Sequence, residues 1–175
     1  DCRSARVPGM KIISGRAFVF GDDINTDVMA PGLYFKSPME EMAKHCLEAV
    51  DPAFAKAVQP GDIVVAGRNF GVGSAREQAA MALTHLGVGA VLAISFGRIF
   101  YRNALNFGLP VLVFPEAGLI RPGDVLAVDP VSGRIERRAT GESWVVQGLP
   151  AHLMEMVGAG GLMPWLKLRL AREKR

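Results

Sequence analysis

Short unbroken apolar runs alternate along the middle of the chain with segments in which apolar residues recur every three or four positions. The run Asp62-Ile63-Val64-Val65-Ala66 reads as a buried strand, and Ala75 to Leu86 as a helix that stops at Gly87. Ala90 to Ser95 is a second strand, Arg98 to Phe107 a second helix stopped by Gly108, and Leu109 to Phe114 a third strand. Strand–helix–strand–helix–strand with short joints predicts a parallel sheet covered on both faces.

On the N-terminal side, Lys11 to Gly21 alternates as a strand, and Asp22 to Gly32 reads as a loop. Ser37-Pro38 followed by Glu40-Glu41 predicts a capped helix running to about Val50, with Met39, Met42, Ala43, Cys46 and Leu47 as its apolar face. A short helical piece from Asp51-Pro52 to Val58 follows. From Pro115 the pattern changes to turns and short strands. Val125 to Asp129, Ile135 to Ala139 and Trp144 to Val146 predict a small antiparallel set. Helices over Leu149–Val157 and Pro164–Arg172, separated by Gly158 to Gly161, close the chain. The class is α/β. Residues 10–175 are expected to form one domain, with residues 1–9 an N-terminal extension, native or added for expression.

With 175 residues, 50% hydrophobic and 21% charged, the chain can bury a substantial core. Twenty basic against 17 acidic residues leave a net charge of +3, much of it from Arg3, Arg6 and the C-terminal Lys167, Arg169, Arg172, Lys174 and Arg175. No basic run with interleaved aromatics supports nucleic-acid binding, and no stretch of about 18 apolar residues supports a membrane span. Cys2 and Cys46 are too few for a disulfide framework, a four-cysteine zinc site or an iron–sulfur cluster held by this chain alone. Reduced cysteines lead us to expect a cytoplasmic protein.

The chemistry concentrates in Gly67-Arg68-Asn69-Phe70-Gly71-Val72-Gly73-Ser74-Ala75-Arg76-Glu77. A glycine-rich turn between a strand and a helix aims backbone N–H groups at an anion. Ser74 with Glu77 three residues on reads as a capping box, and Arg76 offers a guanidinium fork for a carboxylate or phosphate. Neither usual nucleotide loop fits. Walker A needs Lys-Ser/Thr where Ser74-Ala75 stands, and the dinucleotide fingerprint needs glycine at Arg76. Asp22, Asp23 and Asp27 could hold a divalent cation, form Asx turns or orient arginines; their spacing misses the EF-hand pattern. His45 and Cys46, adjacent on one helix, diverge by about a hundred degrees and read as packing residues.

Three stretches together, Gly21-Asp22-Asp23-Ile24-Asn25-Thr26-Asp27, Gly67 to Glu77, and Phe96-Gly97-Arg98-Ile99-Phe100-Tyr101-Arg102-Asn103, resemble the small subunits of isopropylmalate isomerase and homoaconitase. These are the free-standing form of the aconitase swivel domain, and the likeness runs from about Met10 to Leu170. It implies a three-layer β/β/α fold. It also implies a hydro-lyase acting on a small hydroxy di- or tricarboxylic acid, of the leucine-biosynthesis or homoaconitase type. Relatives of this kind work with a large subunit carrying a [4Fe–4S] cluster, as heterodimers or heterotetramers, and this chain would bind no metal itself. By the same resemblance Ser74 is the base that removes the carbon-bound proton, Arg76 holds a substrate carboxylate, and Asp27 belongs to the active-site network. Asn69 and the amides around Gly71 and Gly73 shape the anion pocket, Ala75 lies against substrate, and Lys36 stands on the specificity loop Tyr34-Phe35-Lys36-Ser37.

The chain departs from that family where G-C-G-S-S-R-E-H is common. Val72, Ala75 and Gln78 replace Cys, Ser and His, and Leu33 stands where an arginine is common. Loss of one hydrogen bond to a charged ligand costs about 1.5–3 kcal/mol. With base and clamp retained, the expectation is an active enzyme with altered substrate preference; a non-catalytic binding or regulatory paralogue is the competing reading.

Overall fold

The first strand, β1 (Ile13–Val19), belongs to two ladders at once. Its N-terminal half, Ile13 to Arg16, pairs antiparallel with β5 (Val125–Asp129); its C-terminal half, Ala17 to Val19, pairs parallel with β2 (Ile63–Ala66). The computed structural model describes residues 12–74 and 76–174, and seven strands run through it in the order β4-β3-β2-β1-β5-β6-β7. β3 (Ala90–Ala93) and β4 (Val111–Val113) extend the parallel half; β6 (Arg134–Arg137) and β7 (Ser143–Val145) extend the antiparallel half.

The bend in β1 has a local cause. A side chain on Gly15 would lie 2.2 Å from the Gly61 carbonyl, so β1 can cross the turn before β2 only with glycine there. Asp62, 5% exposed, fixes the crossing by accepting N–H bonds from Arg16 (3.0 Å) and Gln59 (2.8 Å). The sheet then curls far enough that its two ends meet: Phe114, just after β4, packs edge-on against Trp144 of β7 at 5.5 Å. The result is a parallel layer, an antiparallel layer and a helical layer, the three-layer β/β/α arrangement expected.

β2 and β3 are buried along their whole length, as strands covered on both faces must be. Helices α4 (Glu77–His85) and α5 (Arg98–Asn106) cross between the parallel strands, and α4 buries Ala79, Ala80, Ala82 and Leu83. Before them come three short helices, α1 (Thr26–Met29), α2 (Met39–Ala43) and α3 (Phe54–Ala57). The chain closes with α6 (Ala151–Gly158) and α7 (Leu162–Glu173).

Several sequence expectations are corrected. The helix predicted to reach Val50 ends at Ala43, and turns carry the chain past Leu47, whose φ of 62° no α-helix accepts. Its N-cap is Pro38, with no side-chain bond from Ser37. The expected irregular loop from Asp22 contains α1, because the Asn25 side chain caps it by accepting the Val28 N–H at 2.9 Å. Cys46 is fully buried in the core, and burial pushes its thiol pKa far above the ordinary range. Leu168 and Leu170 on α7 are more than half exposed. Residues 1–9 and Cys2 lie outside the described residues.

His45 stacks flat on Tyr34 with ring centroids 3.8 Å apart. Its Nδ1 lies 2.6 Å from Glu48 and its Nε2 3.5 Å from Glu41, which also pairs with Lys44. The bond to Glu48 chiefly, and then Glu41, raise the imidazole pKa above 6.5. A raised folded pKa means the folded chain holds that proton more tightly than the unfolded one. The stabilisation is therefore complete below the unfolded value and disappears as pH rises through the folded value. The melting temperature of the chain is expected to fall as pH rises through the ordinary histidine range and above it. His45→Gln should flatten that part of the profile; an unchanged slope would remove His45 as its source.

Candidate active site

Two loops meet above the C-terminal ends of β1 and β2. One runs from Asp22 to α1; the other is the glycine turn before α4. They are joined by a short ladder: the Gly71 N–H donates to Ile24 O at 2.7 Å, and the Thr26 N–H donates to Val72 O at 3.1 Å. Outside this pair, Arg68 N–H donates to Asp22 Oδ1 (2.7 Å), Asp23 N–H to Arg68 O (2.8 Å), and Asn69 Nδ2 to Asp23 Oδ1 (2.9 Å).

The ladder places the expected residues side by side. Thr26 Oγ1 donates to the Ser74 carbonyl at 3.2 Å and lies 3.4 Å from Ser74 Oγ, which is exposed. One residue on, the Asp27 carboxylate pairs with Arg76 Nη1. Arg76 also lies over the Phe35 ring, its Cζ 4.1 Å from the centroid. Serine hydroxyl, guanidinium and carboxylate thus gather on one open face of the fold.

The turn is held from beneath by aromatic packing. Phe70 and Phe100 are buried, and their rings meet edge-on at 5.2 Å; Phe96 lies over Phe100 at 6.3 Å. Gly71 rests directly on this pad. Its φ is +81°, and a Cβ there would lie 2.2 Å from Phe100 Cγ, so only glycine brings the backbone close enough to reach Ile24. Beside the pad a cleft of ≈ 320 Å³ opens between Ile94, Ser95, Phe96, Arg98, Tyr101 and Val113. Burial raises the Tyr101 phenol pKa there.

The capping box is not formed. α4 begins at Glu77 with Arg76 as its N-cap, and no side chain caps it. Ser74 stands two residues earlier, where its carbonyl accepts the Arg76 N–H at 2.8 Å. Gly73 has φ +125°, and among the described residues no acceptor takes the N–H of Gly73 or Ser74. Ala75 lies outside the described residues.

Asn69 has φ +60° and spends its side-chain amide on Asp23 and its own N–H on Ser95 Oγ (2.8 Å), so it ties the two loops together from their exposed edge. Lys36 is exposed, on the segment that supplies Phe35. Asp22, Asp23 and Asp27 each face a different partner, and among the described residues no group of three or more His, Cys, Asp and Glu is placed to hold a metal ion. The sequence pattern did not single out Thr26 or the aromatic pad. Asn25-Thr26-Asp27, a capping residue followed by an acid, was the available signal for the first; nothing local signals the second.

A profile of the aconitase C-terminal domain family matches residues 24–117, a span containing Thr26, Asp27, Ser74 and Arg76. The 3-isopropylmalate dehydratase small subunit of Moorella thermoacetica is 47% identical over 157 residues, covering 89% of this chain and 95% of that protein. The isopropylmalate/citramalate isomerase small subunit of Methanocaldococcus jannaschii is 44% identical, covering 93% and 98%. Among solved structures, 3-isopropylmalate dehydratase (leuD) from Methanocaldococcus jannaschii superposes with a TM-score of 0.88 at 40% identity, over 94% of this chain and 98% of that one.

Gly71→Ala forces a side chain into a left-handed backbone and into Phe100. It is expected to cost about 2–5 kcal/mol, from roughly 1–2 for the conformation and 1–3 for overpacking. Urea unfolding checks the loss, and a value within 0.5 kcal/mol of the parent would show that the pad does not support the turn.

Proposed function

The chain belongs to the aconitase C-terminal domain family, as a small subunit of the 3-isopropylmalate dehydratase type, and from that premise we propose how its residues share in the reaction. A small subunit of a two-subunit dehydratase works with a large one. The reaction is the reversible removal and return of water on a small hydroxy acid, with 3-isopropylmalate or a related alkylmalate as the substrate. Ser74 takes the proton from carbon, Arg76 holds a substrate carboxylate, and Asp27 holds Arg76. In this family the large subunit carries a [4Fe–4S] cluster, which when bound acts as a Lewis acid on the leaving hydroxyl.

The observation that carries this reading is the loop ladder. By bonding Gly71 to Ile24 and Thr26 to Val72, it sets the exposed Ser74 hydroxyl beside the Asp27–Arg76 pair. A serine is a weak base in water, and an alkoxide needs donors around it. The N–H groups of Gly73 and Ser74, the Thr26 hydroxyl and the nearby guanidinium supply such donors. The first turn of α4 contributes less than a capping serine would receive, since Ser74 precedes its N-cap. Dehydration then moves the carbon-bound proton to Ser74 Oγ as the hydroxyl departs. Hydration returns that proton from Ser74 to carbon while hydroxide adds to the neighbouring carbon. Gly71 and Gly73 shape the anion-facing backbone, Asn69 secures it, and Ala75 stands where a serine is common. The protein acts in the cytoplasm, in a heterodimer or heterotetramer.

Ser74→Ala, assembled with the large subunit, is expected to lower kcat about 10²–10⁴-fold with little change in KM. Formation of the unsaturated acid, followed by its ultraviolet absorbance, checks this. An unchanged rate would favour a non-catalytic binding or regulatory subunit. Lys36 is proposed to meet an extra carboxylate on the substrate. Lys36→Ala should then lower kcat/KM for a homoaconitate-type tricarboxylate about tenfold or more while sparing an alkylmalate. Equal effects on both acids would refute it.

A further inference from the structure

The contact between Phe35 and Arg76 joins two parts of the molecule that the sequence separates by forty positions. Phe35 follows a short 3₁₀ turn, Gly32–Tyr34, and its N–H closes that turn on Gly32 O at 3.3 Å. The turn is anchored on its other side. Tyr34 stacks on His45 at 3.8 Å, and Leu47, just beyond His45, donates its N–H to Val28 O at 3.0 Å. Phe35 is half-buried and packs against the core, so its ring has a fixed seat.

Over that ring lies the Arg76 guanidinium, with Cζ 4.1 Å from the centroid. Its Nη1 is taken by Asp27, and it stands close to the Gly32 backbone. Among the described residues Nε and Nη2 make no hydrogen bond. One face of the fork is thus covered by an aromatic ring, one nitrogen is held by a carboxylate, and the remaining N–H groups stay open.

We propose that Phe35 is a positioning residue for substrate binding, its ring holding the Arg76 fork in place to receive the substrate carboxylate. This rests on the reading of Arg76 as the carboxylate clamp. Arginine left to itself carries large rotamer freedom, and ordering it on binding opposes affinity. A ring face that attracts the cation does that ordering before substrate arrives. Because the contact is the same before and during reaction, its loss is felt in KM and not in kcat. A leucine at position 35 would fill the apolar seat without offering a π face.

The test uses the enzyme assembled with its large subunit and 3-isopropylmalate, with Phe35→Leu, Phe35→Tyr and Arg76→Lys compared. Phe35→Leu is expected to raise KM about three- to tenfold, with kcat within about twofold of the parent. Phe35→Tyr, which keeps the ring face, should restore the parent KM. Where Phe35→Leu does not fold, Phe35→Met replaces it with the same expectation. In the isolated subunit, the side-chain proton resonances of Arg76 should carry an upfield ring-current shift that Phe35→Leu or Phe35→Met removes and Phe35→Tyr keeps. A raised KM for Arg76→Lys with no change for the apolar variant overturns the role of Phe35 alone. An unchanged KM for Arg76→Lys overturns the clamp, and the proposal with it. A fall in kcat that matches the rise in KM, unrescued by Phe35→Tyr, assigns Phe35 to the fold and also overturns it.

Discussion

Two backbone hydrogen bonds, Gly71 N–H to Ile24 O and Thr26 N–H to Val72 O, bring together the two loops that carry the proposed site. They form a hydrogen-bonded bridge between segments nearly fifty residues apart. Without them the two loops would be tied less directly, through Asp22, Asp23 and the Thr26 hydroxyl. The bridge is braced at Gly71, whose backbone runs directly against Phe100. Its geometry therefore rests on the buried aromatic pad at least as much as on the hydrogen bonds, each of which contributes only about 0.5–1.5 kcal/mol net.

The electrostatics above the bridge are built for exchange of partners. Asp27 is 63% and Arg76 32% exposed at the side chain, and an exposed ion pair is worth about 0–1 kcal/mol. Such a pair does not hold the fold together, and an arriving carboxylate can share the guanidinium without large cost. The fork's bidentate geometry lets it keep Asp27 on one nitrogen while offering others. Orientation then comes from the less polar neighbour. Phe35 attracts the cation without competing for its N–H groups, which an additional carboxylate would do.

Much of this was legible in the sequence, for reasons that can be stated residue by residue. β2, β3 and α4 announced themselves because each has a single clear period or run, with Gly67 directly after β2, Gly89 directly before β3 and Gly87 two residues past α4. The antiparallel strands were bounded by turns such as Pro122-Gly123 and Ser132-Gly133. The helix after Pro38 was overextended because its apolar spacing continues through Cys46 and Leu47, both of which are buried, as the pattern required. Burial by turns gives the same spacing as burial by helix over so short a span, and the φ of +62° at Leu47 leaves no mark in composition. Ser74 and Glu77 carry the letters of a capping box, yet the turn uses the Ser74 carbonyl to accept the Arg76 N–H, which starts the helix two residues late. Contacts between distant segments, Phe35 with Arg76 and Thr26 with Ser74, could not be read locally, since neither partner is unusual in its own neighbourhood.

The exposure of Ser74 bears on why the chain works with a second subunit. In open water a serine alkoxide costs far more than a few amides and one guanidinium return, because those donors also hydrogen-bond to solvent. The same donors act more strongly once water is removed, and nothing within the described fold covers this face. Apolar side chains are exposed on the two segments that carry the site, Leu33 at 86% on the turn before Phe35 and Val72 at 43% on the glycine turn. Leu33 and Val72 are also two of the positions where the chain departs from its family's common residues, in both cases with an aliphatic side chain. A partner surface closing on these residues would exclude water from the serine and bury the apolar rim in one step. On the proposed role of Ser74, its basicity is a property of the closed assembly, for which the glycine turn, Thr26 and Arg76 supply the preorganised half.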